Sequence, residues 1–188
     1  MITPPKNELA ALGLVNREPM HGYRLNQTIQ QMGLEQWANL SQSSIYNALG
    51  RLAEQGAVTV STEREGKAPE RTVYHIAAKG REMLADLLRQ ALSYVGPEDR
   101  LFYLAVAFME VLPEEEIVRI LEGRKERLEE YLDKHRCMSE EEGDPLHVRM
   151  MTKAGCSHME VETGFCAELI GLLRERPGYL ARFRGEER

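Results

Sequence analysis

The sequence predicts a mainly helical protein of the α+β type, in which an N-terminal winged helix-turn-helix with a two-stranded wing precedes an all-helical domain. Residues 41–52 predict a short helix with one apolar face and one face of small or hydrogen-bonding side chains. Residues 58–76 hold two runs rich in β-branched residues around a turn, which predicts a hairpin. No strand pattern follows residue 80, so the rest of the chain is predicted to be helical.

Two short helices precede the central one. Apolar residues at helical spacing predict the first over residues 8–17 and the second over residues 23–32. Proline and glycine in residues 19–22 predict a turn between them. A third helix then begins after Ser41, whose hydroxyl is a good acceptor for a free amide of the first turn.

The third helix has two contrasting faces. Ile45, Ala48, Leu49 and Leu52 form its apolar stripe. The opposite side carries Ser43, Tyr46, Asn47, Gly50 and Arg51. Small and hydrogen-bonding groups of this kind are typical of a helix that enters the major groove of DNA. The order of two helices followed by a hairpin is that of a winged helix-turn-helix, whose wing contacts the neighbouring DNA backbone.

Base contacts are expected from three side chains at the start of this helix. Gln42 and Asn47 have side-chain amides that can pair with adenine, and Ser43 can donate or accept. Tyr46 lies beside them. Its hydroxyl contacts a phosphate, or its ring packs on the second helix, and both alternatives remain open.

Phosphate contacts are expected from four cations. They are Arg51, Arg64, Lys67 and Arg71. For Arg64 and Lys67 the alternative is a solvated charge on the tip of the wing, and Arg71 could pair with a neighbouring glutamate. The chain has a formal net charge of −6, but residues 1–80 hold eight Lys/Arg and seven Asp/Glu. The acidity therefore lies outside the predicted DNA-binding part, where a few placed cations must supply the affinity.

The remainder of the chain predicts a second domain over residues 96–188, after a first domain over residues 1–95, with the boundary at Gly96-Pro97. Its helices are predicted over residues 98–111, 113–137 and 146–175. The inward face of the last is assigned to Leu146, Met150, Ala154, Val161, Phe165, Leu169 and Leu172. The helices carry more apolar surface than three helices of a small domain can bury among themselves, so a second copy of the chain is the expected partner. The alternative is a self-contained helical bundle on a monomer. The tail after Pro177-Gly178 is expected to be loosely ordered.

An effector site is suggested by the one tryptophan and by a methionine cluster. Trp37, Met150 and Met151 could line an adaptable apolar pocket for a small hydrophobic effector. The alternatives are that Trp37 is a hydrophobic plug beneath the pair of helices and that the methionines are ordinary core residues.

Composition and motifs also limit the function classes. The three cysteines are odd in number and irregularly spaced, which predicts reduced thiols in a cytoplasmic protein. No apolar signal region or run long enough to span a bilayer is found, so no membrane partner is expected. Cys156, His158 and Cys166 point in different directions on a helix, which argues against zinc. No catalytic constellation stands out, so we expect neither an enzyme, nor a cofactor, nor a metal. A redox role for Cys137, Cys156 or Cys166 is a minor alternative.

Several segments together resemble one family. His21-Gly22-Tyr23-Arg24-Leu25, after a first apolar helix, resembles a signature of the PadR family of bacterial transcriptional regulators. Residues 43–56 resemble the recognition helix of that family. Gly66-Lys67 with residues 71–76, and then Lys79-Gly80-Arg81, are similar to its wing and the entry to its next helix. Leu112-Pro113-Glu114-Glu115-Glu116 is similar to a join between its C-terminal helices. The length of the C-terminal half suggests the subgroup related to virulence-gene activators.

This resemblance implies a cytoplasmic homodimer that binds double-stranded DNA at a palindromic operator and usually represses transcription. Some members respond to small aromatic or hydrophobic molecules. The chain departs from the pattern at Asn47, where many members have proline, at Gly50, where many have a long cation, and at Ala77, where a capping threonine is usual. The alternative function is a winged-helix module for small-molecule binding or protein interaction, without its own operator.

Overall fold

The computed structural model describes residues 3–64, 70–96, 99–138 and 145–183. Its helices are α1 (Lys6–Arg17), α2 (Gly22–Gln31), α3 (Leu34–Trp37), α4 (Gln42–Glu54), α5 (Ala78–Ser93), α6 (Asp99–Val106), α7 (Glu114–Met138) and α8 (Leu146–Glu175). Its strands are β1 (Met20–His21), β2 (Val58–Glu63) and β3 (Arg71–Ile76), and single 3₁₀ turns occupy Met109–Val111 and Leu180–Phe183. The predicted fold class is confirmed: a winged helix-turn-helix is followed by helices.

The sheet has one strand more than the predicted hairpin. All pairings are antiparallel in the order β1-β3-β2, so Tyr74 lies opposite both Met20 and Val60. The sequence predicted only a turn over residues 19–22, which was wrong for Met20 and His21. A strand of two residues is too short to show an alternating pattern, and its pairing partner lies more than fifty residues away.

Helix α1 lies at the centre of the molecule and packs against α4, α5 and α6. Gly13 allows the close approach of Phe108, because a Cβ at Gly13 would lie 2.7 Å from the aromatic ring. At the end of α1 the Arg17 guanidinium lies over the same ring and donates to the Ala107 carbonyl and to Glu110. Most of the buried apolar residues form one continuous cluster across both halves, and the division at residue 96 stays a prediction.

An ion pair joins α5 to the first turn of α7. The Arg89 guanidinium donates to Glu116 at 2.6 Å and to Asp86 at 2.9 Å. The hydrogen bond from Arg89 holds the pKa of the Glu116 carboxyl below its usual range. This contact orients α7 against the helix that follows the wing.

The predicted apolar face of α8 is confirmed near its C-terminal end, where Leu169 is buried and Phe165 and Leu172 pack against the core. The prediction was wrong for the earlier part of the helix. Leu146, Met150 and Val161 are exposed. The buried residues are Cys156, Glu162, Cys166, Leu169, Ile170 and Leu173. The spacing of apolar residues was misleading because the buried face includes Glu162, which pairs with the buried Arg124 of α7. From the sequence alone a glutamate would be assigned to the solvent-exposed face.

The segment after α8 is held to α7. The Glu114 carboxylate accepts from the backbone amides of Gly178 and Leu180, at 2.7 and 2.6 Å, and Leu180 is buried. The expectation of a loosely ordered tail was therefore wrong up to Phe183. Within the described ranges, no helix combines the length and the apolar character needed to cross a membrane.

Candidate nucleic-acid interface

Helix α4 begins where the sequence predicted. The Ser41 hydroxyl accepts from the Ser44 amide at 3.2 Å, and the Ser44 hydroxyl donates back to the Ser41 carbonyl at 2.7 Å. The four apolar residues of the predicted stripe are all buried. Ser43, Asn47 and Gly50 are exposed together on the other side, and we call this surface the recognition face. Gln42, at the edge of this face, is partly buried.

Tyr46 connects α4 to both α2 and the wing. Its hydroxyl donates to the Gly22 carbonyl at 2.9 Å, and its ring meets the Tyr74 ring edge-on at 6.4 Å. Burial raises the pKa of Tyr46, and the nearby Tyr74 raises it further. In the structure Tyr46 therefore packs on the second helix of the chain, which is one of its two predicted alternatives. A phosphate contact stays a prediction, and it would require the hydroxyl proton to leave Gly22.

The four predicted phosphate contacts have different surroundings. The Arg51 Nε lies 3.8 Å from the Glu8 carboxylate of α1, so this cation is partly neutralised. Arg64 and Arg71 are exposed. Across the part of the chain that the structure describes, neither guanidinium has a hydrogen bond or an ion pair, although Glu63 lies directly opposite Arg71 in the hairpin. Lys67 lies outside the described residues.

A cavity of about 580 Å³ opens between α2, α4 and β3. It is lined by His21, Gly22, Tyr23, Tyr46, Arg71, Thr72 and Tyr74. A second cavity of about 540 Å³ shares His21 and Arg71 with it and adds Glu63, Arg64 and Val73. Together the two cavities form a groove along the free edge of β3, beyond the point where β1 ends.

Sequence reasoning missed three residues of this groove as candidate contacts. They are His21, Tyr23 and Thr72. Tyr23 is 76% exposed and its ring stacks on His21 at 6.4 Å. The signal was present in His21-Gly22-Tyr23, which was used only as a mark of resemblance.

The tautomer of the neutral His21 ring follows from its place in the fold. It is the residue before α2, and its Nδ1 accepts from the Arg24 amide at 3.3 Å. An Nδ1 that accepts carries no proton, so the neutral ring has its proton on Nε2. His21 can thus donate from Nε2 while it caps the helix.

A serine, a histidine and a glutamate meet on the wing, but their geometry differs from that of a hydrolase. The Ser61 hydroxyl lies 2.8 Å and a Glu63 carboxylate oxygen 3.8 Å from the same nitrogen, Nε2 of His75. In a catalytic triad the carboxylate holds the other nitrogen, Nδ1. This cluster instead links β2 to β3.

The predicted effector residues lie apart. Trp37 donates from its indole to the Met32 carbonyl at 2.7 Å and packs against the N-terminal core, as the plug alternative requires. Met150 and Met151 are exposed on α8, where Met151 lines a cavity of about 260 Å³ with Tyr131 and Cys156. A shared effector pocket stays a prediction.

The described thiols are poorly placed for redox chemistry. Cys156 and Cys166 are both buried. Burial raises the pKa of the Cys166 thiol, which disfavours the reactive thiolate.

Gly50 has open space where a side chain would be. No atom lies within 4 Å of a Cβ built there. We expect Gly50→Ala to raise the free energy of unfolding by about 0.5–1 kcal/mol, because alanine restricts the unfolded chain and favours a helix interior. Urea denaturation measures this change. A loss of stability would contradict the open surroundings of Gly50.

Comparison with known protein families finds one match, in the N-terminal part of the chain. Residues 11–86 match the sequence model of the Transcriptional regulator PadR-like family. No curated protein matches the chain.

Solved structures with some likeness to the chain share little of its sequence. Bacillus subtilis PadR in complex with operator DNA is 20% identical, with 94% of this chain and 98% of that chain covered and a TM-score of 0.40. The Streptococcus mutans protein smu.1604c is 20% identical, with 87% and 98% covered and a TM-score of 0.40. Bacillus subtilis PadR in complex with p-coumaric acid is 17% identical, with 90% and 99% covered and a TM-score of 0.39.

Proposed function

We propose that this chain, which belongs through residues 11–86 to the PadR-like family of transcriptional regulators, binds double-stranded DNA as a homodimer at a palindromic operator. One observation carries the proposal. The recognition face of α4 is exposed and uncharged, and the wing beside it presents Arg64 and Arg71 without partners among the described residues. Neutral hydrogen-bonding groups next to free guanidinium groups suit base edges next to phosphates.

Each predicted contact then has a defined task. Ser43 and Asn47, with Gln42 at the edge, donate to and accept from base edges in the major groove. Arg51, Arg64, Lys67 and Arg71 bind phosphates and supply the salt-dependent part of the affinity. Because the recognition face lacks a cation, sequence preference depends on a few neutral hydrogen bonds.

The homodimer is supported by the apolar surface that α8 leaves uncovered. Leu146, Met150, Met151 and Val161 are exposed along this helix. Exposed apolar side chains on one helix favour burial against a partner, and a second copy gives a closed, two-fold arrangement. Two recognition helices about 34 Å apart would then enter successive major grooves.

The biological output follows from where such a dimer binds. In the bacterial cytoplasm, where its thiols stay reduced, the dimer represses transcription by occupying its operator. A small aromatic or hydrophobic effector releases it. These two statements depend on the family resemblance and are tested by repeating the binding measurements below with candidate effectors.

Asn47→Ala tests the base contact. We expect affinity for DNA upstream of the protein's own gene to fall by about 5- to 150-fold, because one bidentate contact is worth about 1–3 kcal/mol. Affinity for a scrambled duplex should not change. Fluorescence anisotropy measures both affinities. The control is Gln90→Ala at an exposed position of α5, which is expected to leave both affinities unchanged.

Two outcomes would count against these assignments. Equal losses on both duplexes would remove Asn47 from the base contacts. Wild-type binding no tighter to the upstream DNA than to the scrambled duplex would overturn the regulator in favour of a module without an operator.

A further inference from the structure

We propose that the 580 Å³ cavity between α2, α4 and β3 holds one backbone phosphate of the bound DNA, with Tyr23 and Arg71 as the groups that grip it. This inference rests on the proposed function and deepens it. It adds a contact from the first helix of the helix-turn-helix, which the sequence had not assigned to DNA.

The position of the cavity indicates what occupies it. Tyr46 of α4 forms one wall, and Thr72 and Tyr74 of β3 form the other. When α4 lies in a major groove and the wing contacts the adjacent backbone, one DNA strand must cross between them. The cavity lies at this crossing, and it continues into the second cavity towards Arg64.

The chemistry of the lining fits a phosphate. The Arg71 guanidinium has no hydrogen bond or ion pair among the described residues, and the same holds for the Tyr23 hydroxyl. His21 adds the proton on Nε2. Phosphate oxygens accept from all three kinds of donor. None of the residues that line this cavity is a carboxylate, and Glu63 lines only the second cavity, next to it.

Two features of the structure preorganise these hydrogen-bond donors. The Tyr23 ring stacks on His21, which is itself fixed as the cap of α2. Arg71 begins β3, and its backbone is set by the pairing with β2. Little ordering is therefore needed when the strand arrives, which favours binding.

Salt titrations of the full-length protein with two variants test the proposal. The probes are a fluorescein-labelled duplex from upstream of the protein's own gene and a scrambled duplex of the same length. Arg71→Gln is expected to weaken binding to both about ten-fold and to reduce the slope of log affinity against log salt by about 0.9 per bound chain. Tyr23→Phe is expected to weaken both several-fold with an unchanged slope, because it removes a hydroxyl but no charge.

A matched control and a mapping experiment sharpen the result. Arg176→Gln removes the same charge from the exposed end of α8 and should change neither affinity nor slope. Ethylation of individual phosphates should reveal a position that blocks binding of the wild type and has no further effect on Arg71→Gln.

The failures of the inference and of the proposed function are distinguishable. If the wild type prefers the upstream DNA while both variants match it in affinity and slope, the phosphate site is overturned and the regulator stands. If the wild type has no preference for the upstream DNA, the regulator and the phosphate site fall together.

Discussion

Glu162→Gln is expected to lower the free energy of unfolding by about 3–5 kcal/mol, because it leaves a buried guanidinium without its counter-charge. Arg124 is 1% exposed, and its Nη2 donates to Glu162 Oε2 at 2.5 Å. Urea denaturation of the full-length protein measures the loss. A change of this size from one oxygen-to-nitrogen replacement would identify the pair as the main polar constraint between α7 and α8.

The surroundings of Arg124 offer no replacement for the lost charge. Its Nη1 already donates to the Tyr94 carbonyl at the end of α5, and the guanidinium carbon lies 3.9 Å from the centre of the Phe102 ring. Its Nε has no partner among the described residues. On the described part of α8 the Cys166 thiol also interacts with this guanidinium, but burial raises the pKa of that thiol and keeps it neutral. It therefore does not replace the lost charge, and the charge stays buried without a carboxylate.

Two variants control for other causes. Glu168→Gln makes the same replacement at an exposed position of α8, and we expect a change within about 0.5 kcal/mol. Replacing both partners, with Arg124→Met and Glu162→Leu together, should recover most or all of the stability, because a buried pair is often no better than apolar residues. If Glu162→Gln has the same free energy of unfolding as the wild type, the ion pair does not contribute to stability.

The sequence could predict elements whose causes are local. The start of α4 depends on Ser41 and on an apolar stripe within one helix, and both are visible in a twelve-residue stretch. The hairpin is likewise specified by two adjacent runs of residues. For the same reason the recognition face could be predicted, since it is the side of α4 that the stripe leaves over.

Features that depend on distant residues could not be predicted in this way. β1 exists because residues 20 and 21 meet β3, and the buried face of α8 depends on Glu162 meeting Arg124, 38 positions away. The cavity beside α4 needs three elements from separate parts of the chain. Tyr46 shows the same limit: its two alternatives differ only in whether the Gly22 carbonyl lies within reach.

Gly80→Ala is expected to lower the free energy of unfolding by about 3 kcal/mol, at the upper end of what overpacking costs. A Cβ at Gly80 would lie 2.1 Å from the Ala57 carbonyl oxygen and 2.9 Å from Ile76 Cγ1. The first of these atoms belongs to the backbone, so a rotation of a side chain cannot relieve the clash.

Retreat of α5 from this contact would break other bonds. The Ala57 carbonyl accepts from the Ala77 amide at 2.9 Å, and the Lys79 ammonium donates to the Gln55 carbonyl at 2.7 Å. These bonds join the start of α5 to the segment between α4 and β2. Ala77 provides no side-chain cap for α5. These two bonds therefore help to hold its first turn, together with the Arg81 guanidinium, which donates to the Ile76 carbonyl.

Gly50→Ala is the matched control for this variant, since it places the same methyl group on a helix where nothing lies within 4 Å. The two alanine variants should therefore shift the urea midpoint in opposite directions. A rise of the urea midpoint in both variants would mean that helix propensity, and not the approach of α5 to the Ala57 carbonyl, decides the outcome at Gly80. Opposite shifts would place the close contact between α5 and the base of the wing among the determinants of the fold, next to the surface that we propose for DNA.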